Sequence, residues 1–183
     1  MHTQIKVFSI ILFVLINSGF IRFNLGETGL INYSSTRTVS GNVQQTSSYC
    51  GGARPTDEML KQFATPVAFP NKKFYIRCGK KNTAKGKIVK TFTTDQNGFF
   101  SIELKPGTYS IILEEQLKKI KAVDYINQNQ QLDTNCVKDW WKKPYYLLVV
   151  KDKNISELNF LFHHRCFIKS DIPCITYTGP LPP

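Results

Sequence analysis

The chain has 183 residues, with 24 Lys and Arg against 13 Asp and Glu, and a net charge of +11. Removal of an N-terminal signal of about twenty residues would leave roughly 160, the size of one domain and ample for a sizeable core. The positive balance favours anionic partners; the competing reading is a solvated basic surface on a secreted protein. Its basic residues are scattered in small groups such as Lys72-Lys73, Lys80-Lys81 and Lys142-Lys143, with no nucleic-acid motif beside them, so no nucleic-acid partner is expected.

Met1 to Lys6, the apolar run Val7 to Ile16 and the small polar stretch Asn17-Ser18-Gly19 have the order of a secretory signal peptide, assigned to residues 1–19. The apolar run holds about ten residues, while a helix crossing the hydrocarbon needs about twenty. No membrane span is therefore expected once the signal is removed; the alternative is an uncleaved anchor reaching through Phe20, Ile21 and Phe23. Lys6 is the only charged residue in 1–19, which leaves +10 on the remainder. The expected location is exported: periplasmic, cell-surface or secreted.

Residues 20–36, without clear periodicity, read as a leader. A strand is expected over Thr36 to Val43, and Thr56-Asp57-Glu58 supplies the cap and early acids of a short helix reaching about Phe63. Pro66 and Pro70 precede a strand from Lys73 to Cys78. The clearest signal lies in residues 87–113. Lys87 to Thr94 is rich in β-formers, Asp95-Gln96-Asn97-Gly98 predicts a hairpin turn, and Phe100, Ile102 and Leu104 alternate with Ser101 and Glu103. Pro106-Gly107 predicts a second turn, after which Tyr109, Ile111 and Leu113 alternate with Ser110 and Ile112. Three consecutive antiparallel strands are the expectation. Glu114/Lys118 and Glu115/Lys119 at i, i+4 predict a short helix or ordered loop, and Asn127 to Asn135 a polar loop that Cys136 pins. Two last strands, Tyr145 to Val150 and Ile155 to Phe162, flank a turn at Lys151-Asp152-Lys153-Asn154. Residues 166–183 read as a Cys- and Pro-containing tail with a polyproline-like end.

The segment Thr93 to Tyr109, with its pattern T-D-x-x-G-x-F-x-I-x-L-x-P-G-x-Y, resembles the carboxypeptidase regulatory-like domains. That resemblance implies an all-β, Greek-key, transthyretin-like β-sandwich of about seven strands with one or two short helices, assigned to residues 37–165. Tyr49 to Pro55 and Pro173 to Pro183 are also similar to segments of small exported Bacteroidetes proteins carrying this domain. Activities of the wider fold do not carry over. No His-x-x-Glu zinc pair is present, and the chain ends Pro180-Leu181-Pro182-Pro183 where the transthyretin-related hydrolases end in a Tyr-Arg-Gly-Ser type tetrapeptide.

Five cysteines in an exported chain predict disulfides with one thiol over. Cys78, in phase with Phe74 and Ile76, is expected to be the free one and to lie on the core face of its strand. Cys50, Cys136, Cys166 and Cys174 allow three connectivities, of which Cys166 to Cys174 is the simplest local bridge. His164, Cys166 and Cys174 form the one constellation with metal-binding residue types, although their spacing matches no standard zinc module. Trp140, Trp141, Tyr145 and Tyr146 are a candidate binding surface for a sugar ring or an apolar patch; the competing reading places one Trp in the core and the other as a lid, on opposite sides of an extended segment. Asn32-Tyr33-Ser34 and Asn154-Ile155-Ser156 match the glycosylation pattern. The functional expectation is an exported, non-enzymatic binding or scaffolding protein with no cofactor, whose partner is an unknown protein or anionic glycan at the cell envelope. The alternative is a metal- or thiol-dependent enzyme using His164, Cys166 and Cys174.

Overall fold

The computed structural model holds, among its described residues, ten strands and two short α-helices. It describes residues 35–121, 123 and 129–180. The signal peptide, the leader up to residue 34, the Asn32 glycosylation pattern, residues 127 and 128 of the polar loop, and Leu181-Pro182-Pro183 lie outside the described residues.

Two four-stranded sheets face each other. The first is built on β1 (Arg37–Ser47). One edge of β1 pairs antiparallel with β5 (Phe99–Leu104) and, further along, with the two-residue β2 (Val67–Ala68); the other edge pairs in parallel with β9 (Ile155–His164). The second sheet has the order β4 (Ile88–Thr93), β3 (Lys73–Cys78), β6 (Gly107–Ile112), β8 (Tyr146–Val150), all antiparallel. A separate ribbon pairs β7 (Gln130–Leu132) with β10 (Ile175–Tyr177). The helices are α1 (Asp57–Ala64), capped by the Thr56 side chain, and α2 (Thr134–Lys142). The fold is thus an all-β sandwich.

The alternation reads onto the core as expected. Phe100, Ile102 and Leu104 of β5 and Leu158, Phe160 and Phe162 of β9 meet Phe74, Ile76, Tyr109 and Ile111 between the sheets. Aromatic stacking continues through the layer, with Phe92 4.9 Å from Phe74 and 4.6 Å from Phe100.

Pairing departs from expectation. β4 and β5 lie in different sheets, as do β5 and β6, so the turn at Asp95–Gly98 is a crossing between sheets and no three-stranded antiparallel unit forms. The reason lies in β1. The Gly98 carbonyl accepts from Val43 N at 2.8 Å, so the chain leaving the turn is captured by β1 and not by β4. The turn itself is local: Asp95 Oδ1 accepts from Asn97 N at 2.9 Å and Phe99 N at 2.8 Å. The turn before β9 is taken up the same way, with Asn154 Oδ1 accepting from Thr38 N at 3.0 Å and Arg37 Nε donating to Asp152 O at 2.7 Å.

The outward side of the second sheet also differs. Ser110 and Ile112, which alternate with the core-facing residues of β6, are themselves fully buried, and Tyr75 and Arg77 are buried beside them. Connections 79–87 and 113–118 cover them: Ser110 Oγ donates to Gly79 O at 2.8 Å, and the Arg77 guanidinium bonds Thr83 O and Leu117 O. Cys78 has the expected phase but sits at the end of β3, where Gly79 turns away with φ +101, and its thiol is exposed. The segment from 166, read as a tail, is folded as far as described, with Ile168, Ile172, Cys174 and Ile175 buried in a second apolar cluster with Val137.

Gly98 has φ +75, and a Cβ there would meet the Val43 carbonyl oxygen at 2.3 Å. Gly98→Val is therefore expected to destabilise clearly. Phe100→Ala should cost about 3–5 kcal/mol through lost burial and a residual cavity, whereas Glu103→Ala, exposed on the same strand, should stay within about 0.5 kcal/mol. Chemical denaturation of the three variants checks this order; equal losses at Glu103 and Phe100 would contradict it.

Candidate functional site

α2 begins where Asp133 accepts from Asn135 N at 2.9 Å and Cys136 N at 3.0 Å, leaving the first helical donors satisfied. Its C-terminal carbonyls are the harder problem, because they point into the protein and not into water. Two carboxamides take them up. Asn82 Nδ2 donates to Trp141 O at 2.8 Å and Asn82 N to Lys142 O at 2.9 Å, while Gln116 Nε2 donates to Trp140 O at 3.0 Å and Lys143 O at 2.7 Å. Asn82 Nδ2 also donates to Gln116 O, and Gln116 Oε1 accepts from Leu113 N at 3.1 Å. Asn82 is 2% exposed and Gln116 is fully buried.

Behind them stands Arg77, 4% exposed, whose Nη1 donates to Asn82 Oδ1 at 2.6 Å. Every partner of its guanidinium is a carbonyl or amide oxygen, and none is a carboxylate. Burial lowers its pKa. A positive group beside the C-terminus of α2 suits the negative end of the helix dipole, which offsets part of the desolvation. Sequence reading missed all three residues, because Asn82 follows two lysines and Gln116 lies in a charged stretch, with nothing local to mark either as buried.

The four sequence-derived aromatics do not form a shared platform. Trp140 and Trp141 are helical, so they diverge by one residue of helical rotation and not by the two-sided alternation of an extended segment. The sequence reading failed at Asp133, whose capping role turns what was read as polar loop into β7 followed by a helix start. Trp141 is buried, with Nε1 donating to Lys118 O at 2.7 Å. Trp140 is half-buried and packs against both apolar clusters. Tyr145 stacks on Phe162 at 5.0 Å; burial, then the nearby Asp171 charge, pushes its pKa up to about 12. Tyr146 is the exposed member.

The four predicted disulfide residues are paired, though not locally. Cys50 bridges Cys166 across 116 residues and Cys136 bridges Cys174 across 38, so the expected Cys166 to Cys174 bridge is corrected. The first follows from the parallel pairing of β1 and β9: Ser47 is opposite His164, Ser48 N donates to His164 O at 2.9 Å, and the next side chains that meet are the two cysteines. The second ties α2 to the loop before β10. That loop folds around Arg165, which donates to Ile172 O at 2.6 Å and Ile175 O at 2.7 Å, and an ion pair between Lys72 and Asp171 joins it to the sandwich. Two disulfides mark an extracytoplasmic protein, made in an oxidising compartment.

The metal and thiol constellation is not brought together. Cys166 and Cys174 are in different bridges, which removes both thiolates. His164 lies against Phe69 at 5.7 Å, and His163 bonds Thr46 Oγ1 at 2.9 Å and Ser48 Oγ at 2.8 Å. Among the described residues no three His, Cys, Asp or Glu side chains converge on a metal position, and no helix is long and apolar enough to cross a membrane.

No family model matches the sequence, and no curated protein matches it. Among solved structures, the chain is similar to the TIE protein of Bacillus anthracis, at 12% identity over 70% of this chain and 17% of that one, with a TM-score of 0.33. It is similar also to the major pilin subunit BcpA of Bacillus cereus, at 16% identity over 70% and 30% of the two chains, TM-score 0.34. A variant of the shaft pilin SpaA of Lactobacillus rhamnosus GG gives 9% identity over 72% and 51%, TM-score 0.36. The chain thus spans about half of that pilin or less of the other two. Overlap at these scores assigns it neither a family nor a partner.

Peptide mapping under non-reducing conditions should yield the Cys50–Cys166 and Cys136–Cys174 pairs with Cys78 alone alkylated; a Cys166–Cys174 peptide would contradict the arrangement. Gln116→Leu strips partners from Leu113 N, Trp140 O and Lys143 O and is expected to cost about 3 kcal/mol. Lys118→Ala, which leaves the backbone carbonyl in place, should be near neutral in the same denaturation series.

Proposed function

We propose that the chain is an exported, non-catalytic binding module of the cell envelope or secreted fraction, whose disulfide-held connections present a basic surface to an anionic partner, an anionic glycan foremost. The observation that carries this reading is the placement of the disulfides. The sandwich has its own contiguous apolar core, whereas both bridges lie in the connections around it. Crosslinks there fix the shape of a surface that the sheets do not themselves require, and a surface ordered in advance loses less entropy on binding. The net charge of +11 supplies the sign of the partner. We also infer that the domain is of the carboxypeptidase regulatory-like, transthyretin-like type; the motif from Thr93 to Tyr109 supports this.

Heparin serves as the anionic probe. The oxidised protein should be retained at physiological salt, with affinity falling linearly on a logarithmic salt scale. Cys136→Ser/Cys174→Ser should weaken binding about tenfold while the sandwich still unfolds cooperatively. Unchanged affinity in that variant would reduce the interaction to diffuse charge and remove the reading, as would turnover of a substrate dependent on added metal or free thiol.

A further inference from the structure

We propose that the recess beneath α2 is a binding site for a small amphiphilic carboxylate, a single anionic group on an aliphatic or aryl body. Thr134, Val137, Lys138, Trp141 and Lys142 lie at i, i+3, i+4, i+7 and i+8, so one face of α2 forms the inner wall. Lys119, Ile120 and Leu132 form the opposite wall. The space between is about 330 Å³, at the lower end of the range for small-molecule sites, about 300–1,000 Å³.

The lining has two chemistries and they are segregated by residue type. Ile120, Leu132, Val137 and Trp141 offer apolar surface, while among the described lining residues the charged ones are the lysines 119, 138 and 142, with no acid. A sugar is poorly matched, because among the described lining residues Thr134 supplies the one side-chain hydroxyl and no side chain carries an amide or a carboxylate to share its hydroxyls. An inorganic anion would leave the apolar walls unused. An apolar body carrying one carboxylate satisfies both parts, and an ammonium rim in contact with water gives it orientation.

The walls are also fixed before any ligand arrives. The Trp141 indole N–H crosses to Lys118 O at 2.7 Å. The buried carboxamides hold the last turn of the helix, and Cys136–Cys174 holds its first turn to the C-terminal loop. A recess whose two sides are joined by a hydrogen bond, a cap and a crosslink is preorganised.

The inference deepens the binding role proposed above and rests on it, but heparin probes the stapled basic surface and octanoate probes the recess, so either can fail alone. Calorimetry of the oxidised full chain with octanoate should show one site, with octanol and octylammonium at least about tenfold weaker. Lys138→Glu, on an exposed residue, should lower octanoate affinity about tenfold, and Thr134→Trp, which fills the mouth, should abolish it. Both should leave the melting temperature without ligand nearly unchanged, and Thr134→Trp, which alters no charge, should leave heparin retention nearly unchanged as well. Octanol binding as well as octanoate, octanoate binding undiminished by Thr134→Trp, or no heat at millimolar octanoate would each overturn the proposal.

Discussion

A carboxamide taken out of water must replace its hydrogen bonds inside the protein, and Gln116 and Asn82 replace theirs with the backbone of two separate segments, 113–116 and the end of α2, and with the Arg77 guanidinium. That constraint decides much of the molecule outside the sandwich. The C-terminus of α2 can be buried because its carbonyls are met by these two side chains. Connections 79–87 and 113–118 can lie over the second sheet because Arg77 ties them to the same point. In consequence β3 and β6 are buried on both faces, one against the other sheet and one under this polar joint. Partial satisfaction would cost more than an apolar substitute, so the joint is an all-or-none feature.

The two disulfides complete a division of labour. Hydrophobic burial defines the sandwich, with β1 as the strand that receives both β5 and β9 and captures the turns preceding them. The crosslinks define what surrounds it. In the chain-entropy account each closes a long loop and adds about 4–5 kcal/mol against the unfolded state, but the regions they hold in the folded state differ. Cys50–Cys166 extends the parallel β1–β9 pairing past its last hydrogen bond, and Cys136–Cys174 joins α2 to a loop that is itself wound on Arg165. Binding surfaces are made of connections positioned by a rigid scaffold, and here the connections themselves are made rigid.

The sequence displays what is local and hides what is not. Alternation at Phe100, Ile102 and Leu104 states which side of β5 is apolar, since side chains alternate with a period of two. It is silent on which strand lies alongside, because the same alternation serves a hairpin and a crossing between sheets. Asp95 and Gly98 therefore gave the turn correctly and its partner strands wrongly. The cysteines repeat the pattern: five of them in an oxidising context state that bridges exist, whereas the Cys50–Cys166 pairing depends on β9 lying parallel to β1, a contact more than a hundred residues distant. The Trp pair, one buried and one half-buried, was misread only in its backbone, as extended, because a single cap, Asp133, separates loop from helix. Gln116 and Asn82 had no signature at all, since burial of a polar side chain is set by what folds over it.

The central claim is that the bridges and the buried carboxamides order a layer of connections around a sandwich that stands on its own apolar core. Hydrogen exchange of the oxidised and the reduced protein, resolved by residue, tests it most directly. The account predicts that reduction speeds exchange in 113–118, 130–142 and 166–177 by orders of magnitude, while the amides of β3, β5 and β6 stay protected. A uniform rise that includes those three strands would show that the crosslinks sustain the sandwich itself, and the account would be wrong.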